Sequence, residues 1–500
     1  MDDAWYHEML MTILTPREVW EKTGRWDIDI YFKVPGHGDT EYRIAPTNEE
    51  NIAPVMSEFI ESYKDFPCCL YQIQKKFRNE KRAKSWLLRW REFIMKDAYS
   101  FHKDIEDFDK FYEWAKQAYF KVFQKLGLWD DTVMADADGW DISDKNSHEF
   151  QTFLEVGEDV IVQDSSGYCY NLELAAWVPD DKNTSEVERE LEYLDSVPEI
   201  VNMEKMTKHF NAPDWQMLKT VVYKLANSGK YIAVAIRGDL DINEIKLKKF
   251  IQQKYQDTFK LAETSDLEIL GTVRGFISPL KSSKLNLECY GDNSLKTVKN
   301  FFGGANTVAK STKNVNLWDL DIIEFWDFSE PKEWFTSLSV EWEKLTFRKA
   351  SEVWNIFHLG TKYSKPFGIK YLDENNQTQE EVEMWCYGIG VSRLMGVMAE
   401  YFMTESWILW PEHIAPATHY IIVVGEENLD AAKKLWTELE VLWKTVILDD
   451  RMWRKFGFGQ KAWDCELWGI PNRIVISPKT VEQWGYELLE RGGESKIVKL

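Results

Sequence analysis

The sequence predicts a multidomain α/β protein built around an α+β core, on three observations. Its 500 residues exceed what one hydrophobic core organises, so two to four domains are expected. The first part mixes short apolar strands with long stretches of helical periodicity, whereas the end of the chain alternates strand and helix cleanly. Between them, VPDDKNTSEVERELEYLDSVPEI is polar, acidic and bracketed by Pro179 and Pro198, and it reads as a linker.

In chain order, DIDIYFKV and PCCLYQIQKKF read as strands, and DKFYEWAKQAYFKVFQKLG as a helix with apolar residues at helical spacing. From about 198 a new pattern starts: helix EKMTKHF, strand YIAVAIRG, helix INEIKLKKFIQQKY, then short strands. The last unit runs HYIIVVG (strand), NLDAAKKLWTELEVLW (helix), TVILDD (strand), GQKAWDCELWGI (helix) and NRIVIS (strand), a compact unit with crossover connections. The expected division is 1–190, 198–328, 329–413 and 414–500, with the first and third segments completing one domain around the second.

Composition narrows the classes. Apolar content of 44% and charged content of 29% are ordinary for a globular protein. No apolar run reaches the length of a membrane span, and MDDAWYHEML has no basic region followed by an apolar stretch. The cytoplasm is therefore the expected compartment. Six scattered cysteines without a C-x-x-C pair argue against a zinc knuckle or a disulfide framework. A net charge of -22 argues against indiscriminate coating of nucleic acid, and DNA is not an expected partner. A local basic patch is the exception: Lys75, Lys76, Arg78, Lys81, Arg82, Lys84, Arg89 and Arg91 surround the single acid Glu80.

Two segments carry chemistry. FRNEKRAKSWLLRWREFIMKDAYSF places an Arg-x-Glu on one strand, a basic loop, and Arg-Glu-Phe on a returning strand. Arginine's planar fork suits bidentate phosphate contact, and Phe93 can stack on a purine, so this hairpin reads as a nucleotide or nucleic-acid site. In CYGIGVSRLMGVMAE, Gly388 and Gly390 let the backbone approach closely, and Arg393 opens an amphipathic helix. Alone, that glycine pair fits close helix–strand packing equally well.

Together the two segments resemble motifs 2 and 3 of class II aminoacyl-tRNA synthetases, and the specific resemblance is to the bacterial-type prolyl enzymes. It extends through LTPREVWEKTGRWD, APTNEE, NSHEFQ, WNIFHLGTKYS, WCYGIGVSR, ILWPEHIAPA, LDDR and FGFGQKAWDCELWGIP. The resemblance implies an antiparallel catalytic sheet flanked by helices, an inserted α/β editing domain and a C-terminal α/β anticodon-binding domain. It implies ATP-dependent activation of L-proline and transfer to tRNA(Pro) by a homodimer, with Mg²⁺ arriving on ATP. Arg78 would hold the α-phosphate, with Glu80 beside it. Arg89 would face the outer phosphates, Phe93 would stack on adenine, and Arg393 would pin the γ-phosphate. Thr47 and Glu49 would bind the prolyl imino group, and Asn355 and Phe357 would line the pyrrolidine pocket. A threonine-specific synthetase and a synthetase-like binding protein without ligase activity are the competing readings.

The resemblance also explains the insertion. A proline pocket cannot strongly exclude alanine, since each missing methylene is worth only about 1–3 kcal/mol of discrimination. Lys246 falls on the family's functional lysine, and GFISP (Gly275 to Pro279) on its Gly-x-x-x-Pro loop, with Ser278 where glycine is usual. Residues around Asp449, Asp450, Arg451 and Lys461 would face the anticodon loop.

Two departures stand out. The chain begins almost inside the family's motif 1, with Thr12 at its usual proline, so a truncated gene model is expected. The chain also has 24 Trp beside only 26 Gly. Tryptophan stands at family glycine positions 86, 354, 385 and 407, and at 90 and 443, whereas Trp20, Trp26 and Trp410 match family tryptophans. UGA decoded as glycine in the source organism, but translated as tryptophan, would produce this pattern. Genuine tryptophans at 86 and 385 would be expected to damage the ATP site.

Overall fold

A computed structural model describes residues 1, 6–80, 83, 87–139, 142–143, 147–283, 285, 287–333, 335–453 and 456–499. Two compact units emerge, one comprising 1–134, 139–158 and 350–500, the other 135–138 and 159–349. Among the described residues no helix is long and apolar enough to cross a membrane.

The first unit is organised by an antiparallel sheet. Cys68–Phe77 pairs with Glu92–His102, which pairs with Glu383–Ile389, then Thr346–Gly360, then Ser147–Phe153. His7–Glu8 adds a short parallel strand beside Leu70 and Tyr71. Successive side chains on a strand point to opposite faces, and each face here has its own core. One face carries Tyr71, Ala98, Tyr387, Ile356 and Trp354, which pack on the helix Ile105–Leu126 through Phe108, Phe111, Tyr119 and Phe123. The other carries Tyr99, Phe101, Met384, Cys386 and Phe357, which pack on the helix Glu49–Met56 through Ile52, Ala53 and Met56.

The helix Ile105–Leu126 has the ends its sequence dictates. Asp104 accepts from the Asp107 N–H (2.7 Å), and Gly127 terminates it at φ 72°. The C-terminal sheet runs Val446–Asp449, His419–Val423, Asn472–Ile476, Gly485–Glu490 and Ser495–Lys499, the first three parallel and the rest antiparallel. The alternation in the sequence accounts for the first three strands; the closing hairpin was not anticipated.

In the second unit, a sheet is ordered Phe259–Leu261, Leu218–Leu225, Tyr231–Arg237, Glu288–Asp292 and Glu324–Trp326. Leu247, Phe250 and Ile251 of the helix Glu244–Tyr255 pack on Val234 and Tyr290 of that sheet. The segment read as a linker is instead ordered. Asp180 pairs with Arg237 (3.0 Å), and Glu192–Asp195 forms an edge strand antiparallel to Lys310–Val315. Its polar composition suits an edge held by backbone pairing and ion pairs rather than by apolar burial.

Three tryptophans, Trp342, Trp443 and Trp484, adopt φ of 66°, 59° and 52°, where a bulky L-residue is strained. Trp443 follows the helix Leu429–Val441. Its N–H donates to Glu440 O (2.9 Å), and the Lys444 N–H to Leu439 O (3.1 Å), the hydrogen-bond pattern that glycine ordinarily completes.

Candidate active site

The hairpin anticipated from sequence is present, with Phe93 opposite Lys76 and Glu92 opposite Phe77. Arg78 follows the outgoing strand; its N–H bonds to Arg91 O (2.9 Å), which draws the hairpin's mouth together. The Arg78 guanidinium lies 5.3 Å from the Phe93 ring centroid, so the residues assigned to phosphate and adenine are neighbours. Lys81, Arg82, Lys84 and Trp86 lie outside the described residues. Lys76 does not belong to the basic patch: it is fully buried, bonded to Asn48 and paired with Asp97 (3.0 Å). Its place in the strand turns it toward the loop carrying Thr47 and Glu49, whereas Lys75 faces solvent and pairs with Glu92.

Motif 3 reaches the same region. The strand Glu383–Ile389 passes through Gly390 into the helix Val391–Tyr401. A Cβ on Gly390 would stand 3.2 Å from the Arg393 Cβ, so glycine leaves room for that arginine. The Ile94 N–H donates to Ser392 Oγ (2.9 Å), tying the Phe93 strand to the start of this helix. Arg393 donates to Leu88 O (2.8 Å), Glu352 O (3.0 Å) and Glu158 Oε1 (3.0 Å). Arg89 donates to Glu80 Oε2 (3.1 Å) and Glu158 Oε2 (3.4 Å). Burial would lower the Arg89 guanidinium's pKa, but Glu80 and Glu158 overcome it and hold it above its ordinary value. Glu158 and Glu352 carry no motif signal in the sequence; only the fold shows them on these arginines.

Two rows cross the sheet beside this cluster. Glu149, Asn355, Gly388, Asp97 and Gln72 stand opposite one another in one row, and Phe357, Cys386 and Tyr99 in the next. Their faces agree, so Asn355 and Phe357 line the same side as Cys386. Thr47 Oγ1 hydrogen-bonds Glu49 Oε2, while the buried Glu49 Oε1 has no hydrogen-bond partner. Burial pushes the Cys386 thiol up, and neighbouring Glu49 adds to the effect. Arg25, also buried, donates to Glu50 (2.8 Å) and to Tyr31 OH (2.5 Å). The face thus combines Phe357, Cys386 and Tyr99 with buried polar groups, among them two carboxylate oxygens without a hydrogen-bond partner, Glu49 Oε1 and the ion-paired Asp97 Oδ1.

Trp354 and Trp385 point to the opposite face. Trp354 stacks between Phe150 (3.7 Å) and Tyr119 (3.8 Å), and Trp385 between Phe108 (3.5 Å) and His358 (4.0 Å). These centroid separations are closer than the 4.5–7 Å favoured by aromatic pairs, and both indole N–H groups are buried without a partner. The strain expected at the nucleotide from Trp385 therefore falls on the helix-side core instead.

In the second unit, Lys246 is buried, and its Nζ donates to Ala175 O (2.7 Å), Asp327 Oδ2 (2.8 Å) and Ser329 O (2.7 Å). All three protons are committed. Gly275 adopts φ 86° against Val201, and the Pro279 O accepts from the Asp321 N–H (2.7 Å). Ser278 is fully buried, its N–H bonded to Asn306 Oδ1 (2.9 Å). In the C-terminal sheet, Arg451 donates to Asp449 (2.6 Å) and Asp464 (2.6 Å), and the buried Lys461 to Val423 O (2.8 Å) and Asp449 O (3.0 Å).

An antiparallel sheet with an arginine-bearing hairpin and a strand–glycine–helix arginine defines a class II aminoacyl-tRNA synthetase core. The family model for the tRNA synthetase class II core domain (G, H, P, S and T) matches residues 32–402. A proline–tRNA ligase of Sulfurihydrogenibium sp. is 37% identical, over 99% of this chain and 86% of that protein. Those of Aquifex aeolicus and Bacillus subtilis are 36% and 34% identical, over 96% and 99% of this chain and 84% and 86% of theirs. The chain belongs to the proline–tRNA ligase family. A prolyl-tRNA synthetase structure from Cryptosporidium parvum, complexed with L-proline and AMP, aligns over all of this chain with a TM-score of 0.52. At 12% identity, with the chain spanning 63% of that structure's length, the likeness is one of fold.

Proposed function

We propose that the protein uses ATP to convert L-proline to prolyl-adenylate and then loads proline onto the 3′ end of tRNA(Pro). The observation that carries this reading is the meeting of Arg89 and Arg393 on Glu158, beside the face that holds Glu49, Asn355 and Phe357. The proline carboxylate attacks the α-phosphorus, an oxygen–phosphorus bond forms, the bond to the β-phosphate oxygen breaks, and pyrophosphate leaves. No general base is required, because that carboxylate is already ionised at neutral pH. Arg78 and Arg393 supply positive charge to the phosphates, Arg89 covers their outer end, and Phe93 offers its ring to adenine. Glu80 orients Arg89. The unpartnered Glu49 oxygen receives the imino group, with Thr47 holding that carboxylate's other oxygen.

Mg²⁺ would enter on ATP and supply charge neutralisation between phosphates; Glu352, a carboxylate beside Arg393, offers the hard oxygen it prefers. A homodimer in the cytoplasm belongs to the same reading. Exposed Leu10 and Ile73, brought onto one edge by the Met9 N–H to Tyr71 O bond (2.9 Å), suit a subunit contact. The C-terminal sheet with Arg451 would take the anticodon loop, and the second unit would hydrolyse alanyl-tRNA(Pro). Within that unit Lys246 would act by holding the segments at Ala175 and Ser329 in place.

Amino-acid-dependent ATP–pyrophosphate exchange tests the core claim. Exchange stimulated by proline, and not by threonine, is expected. Stimulation by threonine alone would assign a different synthetase, and none with any amino acid would assign a binding protein. Deacylation of alanyl-tRNA(Pro) by the intact protein tests the second unit.

A further inference from the structure

Asn48 lies between the two residues assigned to the prolyl imino group, Thr47 and Glu49, and it occupies the cap position of the helix Glu49–Met56. An asparagine there ordinarily turns its side-chain oxygen onto the helix's own free N–H groups. This one makes no such cap. Its Oδ1 instead accepts from Lys76 Nζ (2.5 Å), and its Nδ2 donates to Thr12 O (3.2 Å).

Lys76 is a solvent-free ammonium that donates to Asn48 and to Gln74 Oε1 (3.4 Å) and is ion-paired with Asp97 Oδ1 (3.0 Å). Asp97 is equally enclosed. Its Oδ2 accepts from Gln72 Nε2 (2.9 Å) and from Tyr99 OH (2.7 Å). Tyr99 OH in turn accepts the Asn48 backbone N–H (3.0 Å). Asn48 is thus gripped twice, by side chain and by backbone, and both grips rest on Asp97.

A buried ion pair is a poor device for stability alone, since apolar residues of similar size often serve as well. A pair that also diverts a helix cap is better explained by geometry that another residue needs. Burial pulls the Lys76 ammonium below its ordinary pKa and Asp97 opposes the change.

We infer that Lys76 and Asp97 are positioning residues for amino-acid recognition: through Asn48 they hold the Thr47–Glu49 turn in the conformation that presents Glu49 to the substrate's cationic nitrogen. This rests on the reading of the pocket proposed above. In this assignment Lys76 and Asp97 act through the turn.

The test is ATP–pyrophosphate exchange on the full chain with Asn48→Ala, Lys76→Met and the double variant, each checked for folding by circular dichroism. Each single change is expected to raise the KM for proline by about tenfold to a hundredfold, the scale of a small misplacement of a binding group, with the KM for ATP little changed. Because both changes release the same turn, the double variant is expected to be no worse than the worse single one. Effects on proline that multiply, a KM for ATP that rises in step, or an unchanged KM for proline would overturn the inference. Should Lys76→Met fail to fold, Asn48→Ala decides by the same split between the two KM values. Loss of proline-dependent exchange in the unaltered protein would overturn the parent reading; exchange present without the split would remove this inference alone.

Discussion

Arg89 and Arg393 close on the two oxygens of one carboxylate: Arg89 Nη1 reaches Glu158 Oε2 at 3.4 Å and Arg393 Nη2 reaches Oε1 at 3.0 Å. An acid stands where two arginines from distant parts of the chain converge, so an incoming triphosphate competes with it. Removing its charge is expected to favour the nucleotide. Glu158→Gln should lower the KM for ATP by about two- to fivefold, the size of a partly exposed ion pair. A higher KM for ATP would show that Glu158 assists binding.

Arg393 is the arginine that the motif 3 helix delivers, and it is anchored on Leu88 O and Glu352 O. Arg393→Ala should reduce the exchange rate by roughly a hundredfold to a thousandfold, as loss of a charge-stabilising donor does. Proline binding measured by calorimetry should be retained. Retained exchange would remove Arg393 from the chemistry.

Trp443 completes a helix end at φ 59° with its side chain almost fully exposed at 95%, so its side chain gains nothing from packing. Trp443→Gly should therefore stabilise the protein by about 1 kcal/mol, the cost of a left-handed L-residue. Thermal unfolding of the two proteins would read the difference. A lower Tm in the glycine variant would show that the tryptophan contributes contacts.

The coding DNA offers a separate check on the same residues. If these tryptophans stand for glycine, TGA is expected at codons 86, 90, 354 and 385 and TGG at 20, 26 and 410. Trp20 and Trp26 pack with Tyr31 in a small core, whereas Trp354 and Trp385 stack on their neighbours at centroid separations of 3.7 Å and 3.5 Å. TGG throughout would end that explanation.

Asp257 illustrates a pH dependence in the second unit. Burial would raise its carboxyl, but the N–H groups of Asn227, Ser228 and Thr258 and the Ser228 hydroxyl outweigh that and hold it down at about 2. A carboxylate depressed in the folded state contributes stability above its unfolded pKa, near 3.9, and loses it as pH falls through the folded value. Acid unfolding of this unit between about pH 4 and pH 2 should therefore be less steep in Asp257→Asn. An unchanged profile would show that other carboxylates govern it.

The sequence named the arginine-bearing hairpin and the glycine–helix segment, and the structure brings Arg78 beside Phe93 and ties Ile94 to Ser392 at the start of the Arg393 helix. The residues alone marked a basic, aromatic hairpin and a close-packed glycine pair, and the roles of Arg78, Phe93 and Arg393 came from the resemblance to class II synthetases. The same reasoning failed for Lys76, counted with the surface cations although it is enclosed, because a strand alternates faces and the sequence does not say which face will be covered. Glu158 was invisible for another reason: a single acid in a loop has no pattern, and its meaning comes from two arginines brought to it by distant strands.

The sequence by itself indicated the long helices Ile105–Leu126, Glu244–Tyr255 and Leu429–Val441, the alternating C-terminal strands and the two motifs, since periodicity acts over a few residues. Tertiary structure alone decided that Trp354 and Trp385 load the helix-side core, that the polar 192–195 segment becomes an edge strand, and that Asn48 serves Lys76 instead of its own helix. Those outcomes depend on cross-strand register and on which surfaces are removed from water, and both are settled only when the whole sheet closes.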